Sequence, residues 1–208
     1  MFREIGEQAG VASMGGPMGS AFMDIDNDGW IDIYVARGGP EEKRVESDKV
    51  YRNLGNGKFE EVSREMGLIN KGAGHGMTAA DADADGDLDI IVPSGQMEVS
   101  GLSPTMLFEN RGNENAWVVF VPEGEQGNKD AVNACVSVEA GGHSTFREIL
   151  AGAGFCSMAP LEAWFGLGEA EMIDKVTVFW RSGVRRVAEN VPARRRIQVL
   201  QPVEFELS

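Results

Sequence analysis

The chain has 208 residues, enough for one large or two ordinary domains with real cores. Apolar residues make up 42%, which supports a packed interior, and no run approaches the roughly 20 residues that cross a bilayer, so membrane insertion is not expected. Acidic residues number 33 against 19 Lys and Arg, and a formal charge of −14 repels phosphate, which sets nucleic acid aside as a partner and favours cations as ligands.

Twenty-seven glycines set against ten phenylalanines and four tryptophans suggest tight turns between short apolar strands, so a mostly β chain is expected. The amino-terminal stretch MFREIGEQAG has no basic flank followed by an apolar run, so no secretion signal is visible. Cys135 and Cys156 are either one disulfide of an exported protein or two small apolar thiols.

A repeat of 57 positions organises the first half. GSAFMDIDNDGWIDIYVARGG begins at Gly19 and GMTAADADADGDLDIIVPSGQ at Gly76. Val50-Tyr51-Arg52-Asn53-Leu54-Gly55-Asn56 aligns with Leu107-Phe108-Glu109-Asn110-Arg111-Gly112-Asn113 at the same offset. Phe2-Arg3-Glu4-Ile5 through Gly10-Val11 aligns with Phe59-Glu60-Glu61-Val62 through Gly67-Leu68. A fixed period of this size marks stacked supersecondary units, none of which buries its own apolar face.

Four short strands are predicted in the first unit, near residues 21–23, 31–36, 49–53 and 58–62. Asn56-Gly57 suits a type I′ turn in the last hairpin. The second unit has strands near 77–80, 88–93 and 105–109 but no counterpart of Lys58 to Val62. Residues 1–114 carry 10 basic and 21 acidic groups and 115–208 carry 9 and 12, so a domain boundary is expected near 112–116: repeats over 1–114 and a β-domain over 115–208.

The chemistry lies in two aspartate loops. Asp24-Ile25-Asp26-Asn27-Asp28-Gly29-Trp30-Ile31-Asp32 and Asp81-Ala82-Asp83-Ala84-Asp85-Gly86-Asp87-Leu88-Asp89 share the pattern D-x-D-x-D-G-x-x-D. Hard oxygen ligands at alternate positions curl around one ion, and glycine at the sixth position permits the sharp turn. An EF-hand needs a bidentate glutamate at its twelfth position, where this chain has Val35 and Val92. The expected ligands are therefore the side chains of Asp24, Asp26, Asp28 and Asp32, with the Trp30 carbonyl, and those of Asp81, Asp83, Asp85 and Asp89, with the Asp87 carbonyl. Two Ca2+ ions are expected, because magnesium prefers water-rich octahedral sites with few carboxylates.

With these motifs residues 2–113 resemble FG-GAP/VCBS repeats, the calcium-loop blades of integrin-alpha-type propellers, and the ligand roles carry over at each aspartate named. Such propellers close with about seven blades, whereas two units are present here.

The second half resembles ASPIC/UnbV domains. The resemblance rests, in order, on Asn115-Ala116-Trp117-Val118-Val119, the strand Asn133 to Val138, Arg147-Glu148, Gly152-Ala153-Gly154-Phe155, Phe165-Gly166-Leu167-Gly168 and Val178 to Gly183. Cys135 and Arg181 depart from the residues usual there. This combination occurs in cartilage acidic protein-like and bacterial extracellular proteins, and the second family also in enediyne gene clusters. The resemblance implies an extracellular or cell-surface location. Physically, Val132 to Glu139 and Lys175 to Trp180 alternate as half-buried strands of a sandwich.

The fold class expected is therefore all-β, with two propeller-type blades followed by a sandwich-like domain. No serine elbow, HExxH or CxxC occurs, and no acid–base carboxylate pair stands outside the loops, so no catalytic residue is named. His75 reads as a glycine-rich loop residue, and the FGLG run as packing. Arg181, Arg185, Arg186, Arg194, Arg195 and Arg196 form either a solvated basic face or a dock for an acidic protein or a polysaccharide.

The function expected is a calcium-stabilised extracellular module for adhesion or assembly. The alternative is an accessory protein or enzyme of a biosynthetic pathway of the enediyne type. The missing fourth strand of the second blade is supplied in one of two ways. Either Trp117-Val118-Val119-Phe120 fills the gap in cis, or Phe2 to Ile5 of another copy adds to it, giving a homo-oligomer, ring or filament.

Overall fold

A computed structural model describes residues 1–12, 17–37, 47–69, 74, 76–93, 105–125, 127–152, 154 and 157–202; His75 and Cys156 lie outside these. The first unit is an antiparallel four-stranded sheet of β1 (Pro17–Met23), β2 (Asp32–Arg37), β3 (Lys49–Asn53) and β4 (Phe59–Glu61), in chain order. The alternating side chains of β2 bury Tyr34 and Ala36.

The turn between β3 and β4 differs from the type I′ turn expected at Asn56-Gly57. Gly55 and Gly57 take the left-handed values, φ 70° and 76°, and Asn56 does not. The cause is local. The Asn53 side-chain oxygen accepts the Gly55 N–H at 3.0 Å, and the Leu54 N–H meets the Lys58 carbonyl at 2.9 Å, leaving a three-residue loop.

The second unit pairs β5 (Thr78–Ala80), β6 (Asp89–Val92) and β7 (Met106–Phe108), and no fourth strand joins it among the described residues. The stretch Trp117 to Phe120 does not fill the gap. It lies in β8 (Ala116–Glu123), which is bonded to β11 (Ala163–Gly168) on one side and, in parallel, to β14 (Arg195–Leu200) on the other. The remaining sheet has the order β10 (His143–Glu148), β9 (Cys135–Ala140), β12 (Met172–Phe179) and β13 (Arg185–Pro192). Cys135 carries a free thiol.

In this β11-β8-β14 sheet, β8 and β11 carry apolar side chains on both faces. Val118, Phe120, Ala163 and Phe165 point into the sandwich core with Val136, Val138, Ile173 and Val178. Their neighbours Val119 and Trp164 point the other way, into a core with Tyr34, Val50, Val62, Leu88, Ile90 and Val92 of the two blades. This explains why Trp117-Val118-Val119-Phe120-Val121 is an unbroken apolar run, as a strand covered on both sides requires.

At the amino terminus the repeat persists in the turn but not in the strand. The Ala9 N–H bonds to the Ile5 carbonyl at 2.7 Å, just as Met66 bonds to Val62 at 2.9 Å, and Gly10 and Gly67 share left-handed φ values of 83° and 71°. Among the described residues Phe2 to Ile5 pairs with no strand, and Ile5 is 49% exposed where its counterpart Val62 is 2% exposed.

The sandwich sits directly on the loop that joins β1 to β2. The Gly168 N–H donates to the Asn27 carbonyl at 2.8 Å, and a Cβ on Gly166 would lie 2.2 Å from Asp24 Oδ2 and 2.5 Å from the Asn27 backbone. Gly166 has ordinary strand φ, so only space forbids a side chain there. Gly166→Ala is expected to destabilise the protein by about 1–3 kcal/mol, the usual cost of overpacking a closed contact. Urea unfolding of the two proteins checks this, and an unchanged midpoint would mean that the sandwich does not close on the loop.

Candidate metal centres

Each aspartate loop links the first two strands of its blade, and both have the same backbone. Asn27 and Ala84 at the fourth position have φ 55° and 65°, and Gly29 and Gly86 at the sixth have φ 92° and 103°. The last value suits glycine alone and turns the chain so that side chains at alternate positions converge. Carboxylate oxygens of Asp24, Asp26 and Asp28 lie within 4.8 Å of one another, as do those of Asp81, Asp83 and Asp85.

The first cluster is the more buried. Asp24 is only 3% exposed; its Oδ2 accepts the Gly29 N–H at 2.9 Å. Asp24 Oδ1 and Asp26 Oδ1 are buried with no hydrogen-bond partner. Burial, followed by the charges of Asp28, Asp32 and Asp26, pushes the Asp24 carboxyl up to about 8. Burial likewise raises Asp28. The Arg52 guanidinium lies 3.1 Å from Asp26 Oδ2, whereas the corresponding residue of the second unit is Glu109. Arg147, half-buried beside the Phe165 ring, has its pKa lowered by desolvation and feels the Asp24 charge.

Oxygens stripped of water and given no donor are what a hard cation uses. Without one, two carboxylates ~4 Å apart repel by about 4 kcal/mol at an effective dielectric near 20. The donor set is all oxygen, comes from one loop and is rich in carboxylate, which fits calcium. Asp24, Asp26 and Asp28 would hold one ion, and Asp81, Asp83 and Asp85 another.

Asp32 and Asp89, the ninth-position residues, lie outside these two groups of three. Asp32 Oδ2 accepts the Ile25 N–H at 3.0 Å and its Oδ1 the Asn53 N–H at 2.7 Å. Asp89 accepts Ala82 at 2.9 Å and Asn110 at 2.8 Å in the same way. Both thus fasten the start of their loop to an asparagine at or just past the end of the third strand, and a second lone pair remains on each oxygen. Burial raises Asp32 to about 6 against the opposing pull of these amides.

Trp30 and Asp87 at the seventh position donate their N–H groups to Asp28 and Asp85, at 2.8 and 3.0 Å. Their side chains diverge. The Trp30 ring meets His143 edge-on at 5.7 Å, and Asp87 Oδ1 accepts a hydrogen bond from Asn27 at 2.8 Å. Trp30, Asp28, His143 and Glu169 line a cleft of about 740 Å3 where the loop meets the sandwich.

The asparagines around the loops are functional residues that the aspartate pattern does not flag. Asn53 and Asn110 send their side-chain N–H groups to the carbonyls of Ile31 and Leu88 at 2.9 and 3.3 Å. Asn113 and Asn115 both clasp the Asp26 carbonyl, at 2.7 and 2.8 Å. The 57-residue alignment of Asn53 with Asn110 is the signal that marks the first pair. In the basic cluster, Arg194 bonds to the Glu114 carbonyl at 2.7 Å and Arg196 pairs with Glu162, while Arg181, Arg185 and Arg186 are exposed.

Comparison with known proteins agrees with both resemblances. Residues 24–92, which include both aspartate loops, match the FG-GAP-like repeat family, and residues 124–204 match the ASPIC and UnbV family. Across 185 residues, 86% of this chain, the sequence is 31% identical to cartilage acidic protein 1 of Homo sapiens and 30% identical to that of Mus musculus. The chain spans 27% of the length of these relatives. The chain thus joins an FG-GAP-like repeat segment to an ASPIC/UnbV domain.

Proposed function

We propose that this chain is a calcium-stabilised module of an extracellular repeat protein, in which Asp24, Asp26, Asp28 and Asp32 hold one ion and Asp81, Asp83, Asp85 and Asp89 a second, each with the carbonyl of its seventh residue, Trp30 or Asp87. The observation that carries it is the pair of buried, donorless oxygens on Asp24 and Asp26 inside a ring of like charge. The relatives named above support the extracellular reading only in kind, and adhesion is the role that β-blades presenting ion-filled loops would serve.

Calcium that binds the folded chain alone stabilises it by about 2.7 kcal/mol per site at 100 times Kd. Millimolar calcium should therefore raise the melting temperature and chelator lower it, and Asp28→Ala and Asp85→Ala should each remove one ion by elemental analysis. A melt that ignores chelator, in protein without bound calcium, would sink the reading.

The chelated protein has a predictable pH response. Asp24 and Asp32 have folded pKa values raised to about 8 and 6 from the ordinary 3.8, so the folded state holds the extra protons. Their contribution is fully present below about pH 4 and is lost as pH rises through 6 and 8. In chelator the melting temperature should fall between pH 5 and 8. With saturating calcium the fall should vanish, because the ion favours the ionised form. Equal slopes in both buffers would contradict a cation at the first loop.

Self-assembly is a second reading, favoured by one specific observation: Ile5 to Gly10 repeats the hydrogen-bonded turn of Val62 to Gly67 while the strand before it stays unpaired. Phe2 to Ile5 of one copy would add to the open edge of β7 in another, a heterologous contact that gives rings or filaments. Removing residues 1–5 should convert a concentration-dependent assembly into a monomer that still binds calcium, as read by sedimentation velocity. A wild-type monomer at high concentration, or assembly unchanged by the deletion, would exclude strand addition.

A further inference from the structure

We infer that Asn27 is a positioning residue that couples the two cation sites, so that an ion in either aspartate loop strengthens binding in the other; the inference rests on the calcium reading. Asn27 lies between Asp26 and Asp28 in the first loop and is fully buried. Its side-chain N–H group donates to Asp87 Oδ1 at 2.8 Å and to the Gly86 carbonyl at 3.3 Å, and its oxygen accepts the Trp164 indole N–H at 3.1 Å. Gly86 and Asp87 directly follow Asp85, a member of the second cluster. One amide therefore joins the ligand-bearing segments of both loops and the sheet that covers them.

The left-handed backbone of the turn does not by itself require asparagine. Ala84, the same position in the second loop, takes φ 65° without one. What distinguishes Asn27 is what its amide reaches. Both ends of that amide are engaged and Asn27 itself is buried, so a partner that moves away costs the amide a hydrogen bond. Drawing Asp26 and Asp28 together displaces Asn27 between them, and the displacement passes to residues 86 and 87. A loop already ordered through this tie has less left to lose when its own ion binds, which is positive coupling, and linkage makes it reciprocal.

The test is calcium titration calorimetry on the full chain, with the second loop disabled by Asp83→Asn and Asp85→Asn, or the first by Asp26→Asn and Asp28→Asn. Each background is measured with and without Asp87→Ala. That substitution cuts the 2.8 Å bond and leaves the main-chain carbonyl of Asp87 in place. Disabling either loop should weaken the other at least about five-fold, by the same factor in both directions. In the Asp87→Ala series the factor should fall, and Asn27→Ala, which also removes the bond to the Gly86 carbonyl, should lower it further; if Asn27→Ala does not fold, the Asp87→Ala series decides. Two ions that bind independently in the wild-type chain would overturn the coupling and leave the calcium reading standing. Coupling undiminished by the cut would overturn the role of Asn27. A wild-type chain that binds no calcium at all would remove the calcium reading itself, and the coupling with it.

Discussion

Burying Asp24 beneath a β-sheet is the constraint around which the rest of the molecule is arranged. A carboxylate with one donorless oxygen, surrounded by Asp26, Asp28 and Asp32, is unfavourable as an anion and is held there only by what surrounds it. The neighbours answer in kind. The Gly29 amide takes one oxygen, Arg52 stands against Asp26, and the field of Asp24 reaches the half-buried Arg147 of the sandwich. Four carboxylates facing two guanidinium groups leave two negative charges, which one divalent cation would balance. Against Asp24 the sandwich brings bare backbone, at Gly166.

The two loops share a sequence pattern but not an environment. The second cluster has one partly buried and two exposed members, so water can solvate its charge, and Glu109 stands where the first unit has Arg52. On the calcium reading the first ion would be part of the fold, enclosed between blade and sandwich, and the second would sit at a surface. The seventh position carries the same asymmetry: Trp30 turns outward to His143, while Asp87 turns inward to Asn27. Identical ligand spacing therefore does not imply identical affinity, because desolvation and neighbouring charge act on each loop separately.

Much of the fold was legible because its signals are local. The 57-residue offset located both blades, and β2, β3 and β6 fall where β-branched and aromatic residues follow an aspartate, Asp32, Asp48 or Asp89. The glycines of the FGLG run were readable as packing, yet the sequence does not say against what, because a close approach between residues 166 and 24 leaves no trace in spacing. The roles of Asn27 and Asp32 were hidden for a related reason. An Asn at the fourth loop position looks like turn chemistry, and a ninth-position aspartate looks like a ligand. Only the folded chain shows the amide reaching three partners and the carboxylate fastening two amides. The turn at Asn56 was misjudged because Asn53, three residues upstream, competes for the Gly55 amide.

Strand β8 ties these features together. In a closed ring each blade is covered by its neighbours; here Val119 and Trp164 supply apolar cover to both blades from one side. The opposite face of the same strand, through Val118 and Phe120, belongs to the sandwich core. Its register is therefore fixed from two directions at once, since a slip of one residue would exchange both sets. Trp164 is paired with Val119 in that register and donates its indole N–H to Asn27, while Gly166, two residues on, lies against Asp24. The packing of apolar side chains on both faces of this sheet thus sets where the first aspartate loop is pressed and where its buried amide points. The chemistry of the loop follows from a strand that contributes no ligand to it.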